Sequence, residues 1–296
     1  MDGQGGKTPV IGIIGGSGLY DIEALNNKEW RKVTTPFGDP SDELLHGDIG
    51  GTRVVFLPRH GRGHKYAPTD LNYRANICAL KMAGVSEILS LSACGSLQAN
   101  LSPGTFVIVD QFIDRTFART KSFFEKGLVA HVSMAHPVCG RLGDRLEAAA
   151  RSIGVRYARG GTYLAMEGPQ FSTFAESTLY RSWNCDVIGM TNMPEAKLAR
   201  EAELCYATVA MVTDYDCWHE GHAAVTVEQV VRVLLANADR ARNLVKEVTP
   251  ALGAHHGPCD RGCHRALDSA LITAPAARDS ELIKKLMPIA GRVLAR

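Results

Sequence analysis

The stretch Thr213-Asp214-Tyr215-Asp216-Cys217-Trp218 follows a strongly apolar run, residues 209–212, and sets two carboxylates two positions apart. In an extended segment, side chains at that spacing lean to one side. Such a pair suits a metal ion, but no Glu/His/Asp set elsewhere in the chain completes a metal site. It equally suits the edge of a purine, where one carboxylate accepts from an exocyclic amine and the other, protonated, donates to ring N7. Trp218 either closes that pocket or belongs to the core.

Three further segments offer anion chemistry. Arg59-His60-Gly61-Arg62-Gly63-His64 follows a short β-rich run and gathers guanidinium, imidazole and glycine backbone in six residues, the donor types an oxyanion needs. The plainer alternative is a solvated basic loop. Gly15-Gly16-Ser17-Gly18 ends an apolar run at 10–14, where close backbone approach and the Ser17 hydroxyl fit either phosphate or a tight turn. It is not a dinucleotide fingerprint, because Asp21 stands where the third glycine is required, and the Gly-Lys-Ser/Thr ending of a P-loop is missing. Ser92-Ala93-Cys94-Gly95-Ser96 follows another apolar run with more hydroxyls. Cys94 has no base assigned to it in the sequence and reads as a small buried thiol.

These segments need elements to hold them. Short β-rich runs at 54–57, 88–91, 106–109, 187–188 and 206–212 each end in polar or glycine residues. Helical periodicity runs through 71–83, 140–153, 194–203 and 227–248, with Val230, Val231, Leu234 and Leu235 forming an apolar stripe in the last. The alternation predicts an α/β fold, a single domain with a central mixed β-sheet flanked by helices and functional groups gathered at strand ends. Residues 9–252 are expected to form that domain. Residues 253–296 open on Gly, His and Pro and read as an extension that crosses the surface to a last helix near 280–292.

The 296 residues are 45% apolar and 22% charged, with 33 basic residues against 31 acidic. A charge of +2 scattered along the chain gives no reason to expect nucleic acid or an anionic membrane as partner, and no apolar run reaches the ~18 residues of a membrane span. The eight cysteines lie mostly in apolar stretches with no secretory signal before them, so reduced, buried thiols in a cytoplasmic protein are expected.

Taken with Thr35-Pro36-Phe37-Gly38, the run 110–116 and Glu167-Gly168-Pro169-Gln170-Phe171-Ser172, these segments resemble, in the same order, the 5′-methylthioadenosine phosphorylases of the trimeric purine nucleoside phosphorylase family. The resemblance runs from about residue 10 to 252. It implies a phosphate site of Ser17, Arg59, His60, Ser92 and Thr191, with Met190 beneath the ribose and Ala93, Phe171, Thr213, Asp214 and Asp216 around the base. Val227 and Val231 would line an apolar 5′ pocket, completed across an interface by His131 of the partner subunit. Without the resemblance, Met190 and Phe171 read as core residues and the two valines as a helix stripe. Ser17 and Ser92 stand where threonine is frequent in the family, and Gly189 where some members carry asparagine.

Further implications are a homotrimer or homohexamer, inorganic phosphate as co-substrate and no cofactor. Cys259 and Cys263 resemble the paired-cysteine tails of some microbial members. With His255 and His256 nearby zinc is an alternative there, but the C-x-x-C spacing is missing, so free thiols or a disulfide and no metal are expected. The expected reaction is phosphorolysis of a 6-aminopurine 5′-methylthionucleoside, with Asp214 and Asp216 on the base. The rivals are a 6-oxopurine phosphorylase, which Asp214 disfavours, and a nucleoside-binding sensor without turnover.

Overall fold

The computed structural model describes residues 8–16, 19, 22–219, 227–255 and 257–295; Ser17, Gly18, Asp21 and His256 lie outside them. The chain runs through β1 (Ile11–Gly15), β2 (Asn26–Arg31), β3 (Leu44–Ile49), β4 (Thr52–Pro58), α1 (Tyr73–Met82), β5 (Glu87–Ser96), β6 (Phe106–Ile108) and β7 (Gln111–Asp114). It continues through α2 (Gly140–Ser152), β8 (Tyr157–Arg159), β9 (Thr162–Ala165), α3 (Phe174–Ser182), β10 (Val187–Gly189), α4 (Glu195–Glu201), β11 (Cys205–Asp214), α5 (Val227–Gly253) and α6 (Ser280–Leu294).

All strands of the described residues join one mixed sheet, in the order β2-β3-β4-β1-β5-β10-β9-β7, with β11 between β5 and β6 and β8 beyond β6. The centre, β4-β1-β5-β11, is parallel. Its strands are apolar on both faces because helices cover both. Ile11 and Ile13 face a core shared with Leu142 and Leu146 of α2 and Leu244 and Val248 of α5. Ile14 faces the other core, shared with Ile77 of α1, Leu198 of α4 and Leu286 of α6.

β5 is longer than the run at 88–91 suggested. It continues through Ser92 to Ser96, pairing with β11 along one side and with β10 at Gly95 and Ser96 on the other. The small residues expected to follow the strand are therefore part of it, and their lack of bulk opens space beside the sheet.

The extension does not simply trail over the surface. The Asp279 carboxylate caps α6 by accepting from Leu282 N at 2.8 Å, and Leu282, Leu286, Ile289 and Ala290 bury one stripe of the helix in the core that contains α1.

Candidate active site

The carboxylate end is built by an irregularity in β11. Pairing with β5 is regular up to Val212↔Cys94, then shifts so that Asp214, not Thr213, sits opposite Gly95. One extra residue in one strand bends it and re-aims the following side chains. The two aspartates are thus not successive same-side residues of an extended strand, as expected above. Asp216 is in the left-handed region at φ 53°, conformationally uncommon for a non-glycine residue but favoured by Asp, and its N–H donates to Asp214 Oδ1 at 2.8 Å. Thr213 Oγ1 donates to Asp214 Oδ2 at 2.6 Å. Gly95 allows the close approach: a Cβ there would lie 2.9 Å from Asp214 Oδ1 and 3.4 Å from Asp216 Cβ.

The two carboxylates differ in how they are satisfied. Both Asp214 oxygens already accept a bond, which favours an ionised acceptor, although burial raises its pKa above the usual carboxylate value. Asp216 is 6% exposed, and its Oδ2 has no partner among the described residues. Burial first, and then the neighbouring Asp214 charge, push the Asp216 pKa up against the opposing pull of Ser177. The upward shift favours the protonated form of Asp216, while the two bonds accepted by Asp214 favour its charged form, and an acid beside an acceptor is the division of labour that suits a purine leaving group. Cys94 is 4% exposed and burial, aided by Asp214, drives its thiol well above the ordinary range, which leaves it inert as a nucleophile.

The hydroxyl end lies further back along β5. Ser92 Oγ accepts from Asn192 Nδ2 at 3.3 Å. Thr191 Oγ1 and the Tyr163 hydroxyl are both buried without a partner among the described residues, and buried hydroxyls are normally bonded to something. Tyr163 had no signal in the sequence; what reveals it is Gly189, where a Cβ would lie 1.8 Å from the Tyr163 hydroxyl oxygen. The tyrosine thus fills the space that a side chain at position 189 would take. Gly189→Ala is expected to destabilise the fold by about 1–3 kcal/mol through overpacking, read from denaturant unfolding, with Tyr163→Phe in the same chain recovering part of the loss.

Arg59 and His60 follow β4 as expected, but they are not parallel open donors. Arg59 is 1% exposed. Its Nε and Nη2 donate to Glu195 at 2.9 and 3.2 Å, Nη2 also to Ser90 Oγ at 2.6 Å, and Nη1 to the Leu91 carbonyl at 3.0 Å. One Nη1 hydrogen is left for an anion. Burial opposes the guanidinium charge, yet Glu195 outweighs it and holds the Arg59 pKa above its ordinary value. Glu195→Ala would strand that charge, and a loss of about 3–5 kcal/mol in unfolding free energy is expected. His60 Nδ1 lies 2.9 Å from the Tyr66 carbonyl, which only accepts, so Nδ1 carries the proton and Nε2 is the acceptor. Burial, with help from the Arg59 charge, brings the His60 pKa down to about 4. Arg62 is engaged by Asp42 and Glu43.

The remaining site residues fall on the open sides. Ala93 lies on β5 opposite Met211. Met190 follows β10 and packs under Gly168, where a Cβ would lie 2.5 Å from its sulfur. Phe171 is 40% exposed, and Val227 and Val231, in the first turns of α5, are 67% and 44% exposed, more than a helix stripe buried in its own subunit would be. His131 is exposed, its N–H held by the Ala270 carbonyl at 2.8 Å. Ser17 lies outside the described residues.

From Ser92 to Gly95 is three residues of one strand, about 10 Å. Unpartnered hydroxyls stand at one end and an unpartnered carboxyl at the other, so the strand has the length and chemistry to hold an anion and a purine at the two ends of one sugar. This chain belongs to the phosphorylase superfamily, whose family model matches residues 10–250. It is 64% identical over 288 residues, 97% of this chain and 98% of the other, to the S-methyl-5′-thioadenosine phosphorylase of Rhodospirillum rubrum. To the protein of that name from Geobacter sulfurreducens it is 51% identical over 283 residues, covering 95% and 98%. Its fold superposes with a TM-score of 0.90 on a methylthioadenosine phosphorylase from an antarctic soil metagenomic library, 46% identical with 96% and 99% of the chains covered. With the methylthioadenosine phosphorylase of Schistosoma mansoni in complex with adenine the TM-score is 0.80, at 39% identity over 83% and 93% of the chains.

Proposed function

We propose that this chain catalyses phosphorolysis of S-methyl-5′-thioadenosine, giving adenine and 5-methylthioribose 1-phosphate. The observation that carries the reading is the pair of unsatisfied polar ends along β5: Asp216 Oδ2 at one, Thr191 Oγ1 and the Tyr163 hydroxyl at the other. Phosphate rests on the hydroxyls of Ser92, Thr191 and Tyr163, with the remaining Arg59 N–H and His60 beside it. Ser17 belongs to the same set by its place after β1. A phosphate oxygen attacks C1′ as the C1′–N9 bond breaks and its electron pair passes into the purine. Asp216 gives a proton to N7, so adenine leaves neutral, while Asp214 accepts from the 6-amino group. The phosphate charge stabilises the oxocarbenium character that develops at C1′. Fixing both reactants in line supplies about 7–11 kcal/mol of the barrier reduction. No covalent enzyme intermediate and no cofactor is needed.

Met190 underlies the ribose, Ala93, Phe171 and Thr213 border the base, and Val227 and Val231 receive the methylthio group. The exposure of Phe171, Val227 and Val231, together with Phe117 at 82% and Phe174 at 66%, supports a homotrimer or homohexamer in which the partner subunit's His131 closes the 5′ pocket. Among the described residues no helix is long and apolar enough to cross a membrane. A cytoplasmic location is supported by eight cysteines, none of them disulfide-bonded.

The test is to incubate the protein with S-methyl-5′-thioadenosine with and without phosphate and to follow free adenine and the sugar phosphate. Adenine release that depends on phosphate, with one sugar phosphate per adenine, is expected. Binding without turnover would make the chain a sensor, and faster turnover of 5′-methylthioinosine, inosine or guanosine would make it a 6-oxopurine enzyme; either result ends the proposal.

A further inference from the structure

Away from the nucleoside site, the fold gathers four cysteines that the chain scatters over 125 positions. Cys139 precedes α2, with its N–H donating to the Tyr206 carbonyl at 2.8 Å. Cys205 opens β11. Cys259 and Cys263 come from the extension, separated by a turn in which Gly262 has φ 68°. All four are buried, and their sulfurs lie within 4.8 Å of one another. The Cys139–Cys259 and Cys259–Cys263 sulfur distances are 3.4 and 3.5 Å.

We infer that Cys139, Cys205, Cys259 and Cys263 form a structural zinc site, a reading that departs from the expectation of no metal drawn from the spacing of Cys259 and Cys263 alone. That spacing was uninformative because half the ligands come from elsewhere in the chain. Zinc–sulfur bonds of about 2.3 Å in a tetrahedron place the sulfurs about 3.8 Å apart, and the observed cluster needs only small movements to reach that. Polynuclear iron–sulfur clusters set their cysteines further apart than this. Two disulfides would instead draw the sulfurs into separate pairs about 2.05 Å apart, whereas here Cys259 is close to two partners at once.

The surroundings match the charge of a metal thiolate centre. Arg200 Nη1 lies 3.5 Å from Cys263 Sγ, and Arg200 has no carboxylate partner among the described residues. Arg141 Nη2 lies 3.8 Å from Cys205 Sγ while also pairing with Glu87. Zinc bound by four thiolates carries a net charge of −2, and guanidinium groups on two of its sulfurs offset that charge. Neutral thiols or disulfides would leave Arg200 with no charge to meet, whereas Arg141 already pairs with Glu87. A surface cavity lined by Glu87, Arg141, Cys205, His255 and Cys259 provides an entry path. The ion would fasten the extension to the start of α2 and of β11, remote from the aspartates and the hydroxyls, so its role is to hold the fold and not to turn over substrate.

The experiment is metal analysis of the full chain, produced without a metal-binding tag and isolated under inert gas without added reductant. About one zinc per chain is expected, released when a mercurial thiol reagent titrates the cysteines. In the Cys259→Ser, Cys263→Ser double variant zinc should fall to background. Because that variant could fail to fold, the metal-stripped parent is also titrated with Co²⁺, and the charge-transfer and visible bands of tetrahedral sulfur coordination are expected. The inference is overturned if the four cysteines prove to be two disulfides by intact mass. It is equally overturned if they are free thiols that take up neither ion, or if the isolated protein holds iron there.

Discussion

Asp216→Asn should lower kcat/KM for S-methyl-5′-thioadenosine by about 10²–10⁴-fold, the range for loss of a positioned general acid, with far less effect on phosphate binding. Asparagine keeps the size and can still fill the buried space, but its amide donates a hydrogen bond without transferring a proton. The pH profile supplies the sharper check. Burial and the Asp214 charge raise the Asp216 pKa in the folded protein, and the acid is active only while protonated. Activity is therefore present below that raised pKa and lost as pH climbs through it. In the asparagine variant this alkaline limb should vanish, leaving a flat, low rate. A variant that keeps the parent limb would assign the proton to another group.

Asp214→Asn should act on the choice of base more than on rate. In the proposed mechanism an ionised Asp214 accepts from the 6-amino group and would repel a 6-oxo oxygen, and its oxygens are already oriented by Thr213 Oγ1 and the Asp216 N–H. Hydrogen bonds to charged groups contribute about 1.5–3 kcal/mol, so the preference for 5′-methylthioadenosine over 5′-methylthioinosine should shrink by about 10–150-fold, measured as a ratio of kcat/KM values. An unchanged ratio would take Asp214 off the base edge. The same change should also lower the Asp216 pKa, shifting the alkaline limb toward lower pH, because a like charge has been removed beside it.

Much of this arrangement was legible in the chain because it depends on local pattern. Ile11 to Ile14 and the run before Thr213 read as buried strands from β-branched and apolar residues alone, and the helices α1, α2 and α5 followed from their periodicity. β2 was silent because Asn26–Arg31 is an exposed edge with no apolar alternation. The short strands β7, β8 and β9 carry too few residues to show a period.

Within the site, the residue types of Asp214, Asp216 and Ser92 announced their chemistry, whereas their arrangement did not. The extra residue at Thr213 is invisible without the register of β5. Glu195, 136 positions from the arginine it binds, looked like any acid at the start of a helix. Tyr163 looked like any aromatic in a strand, and its role depends on an absent side chain at Gly189. Cys139 and Cys205 gave no hint of each other or of the extension, since only the tertiary fold brings them together. What sequence conceals here is pairing across long separations, where nothing local records which partner a buried polar group will meet.

The span from Ser92 to Gly95 is a piece of continuous backbone hydrogen-bonded into the middle of a sheet. On the proposed mechanism, the seats of the two reactants are set by peptide geometry and not by the closing of one lobe on another, and the chemical step inherits the stiffness of the least deformable part of the molecule. On the proposed placement, whatever sits at the sugar's outer end meets the exposed first turns of α5. New substituents could therefore be accommodated there over evolutionary time while the bond-breaking apparatus stayed as it is.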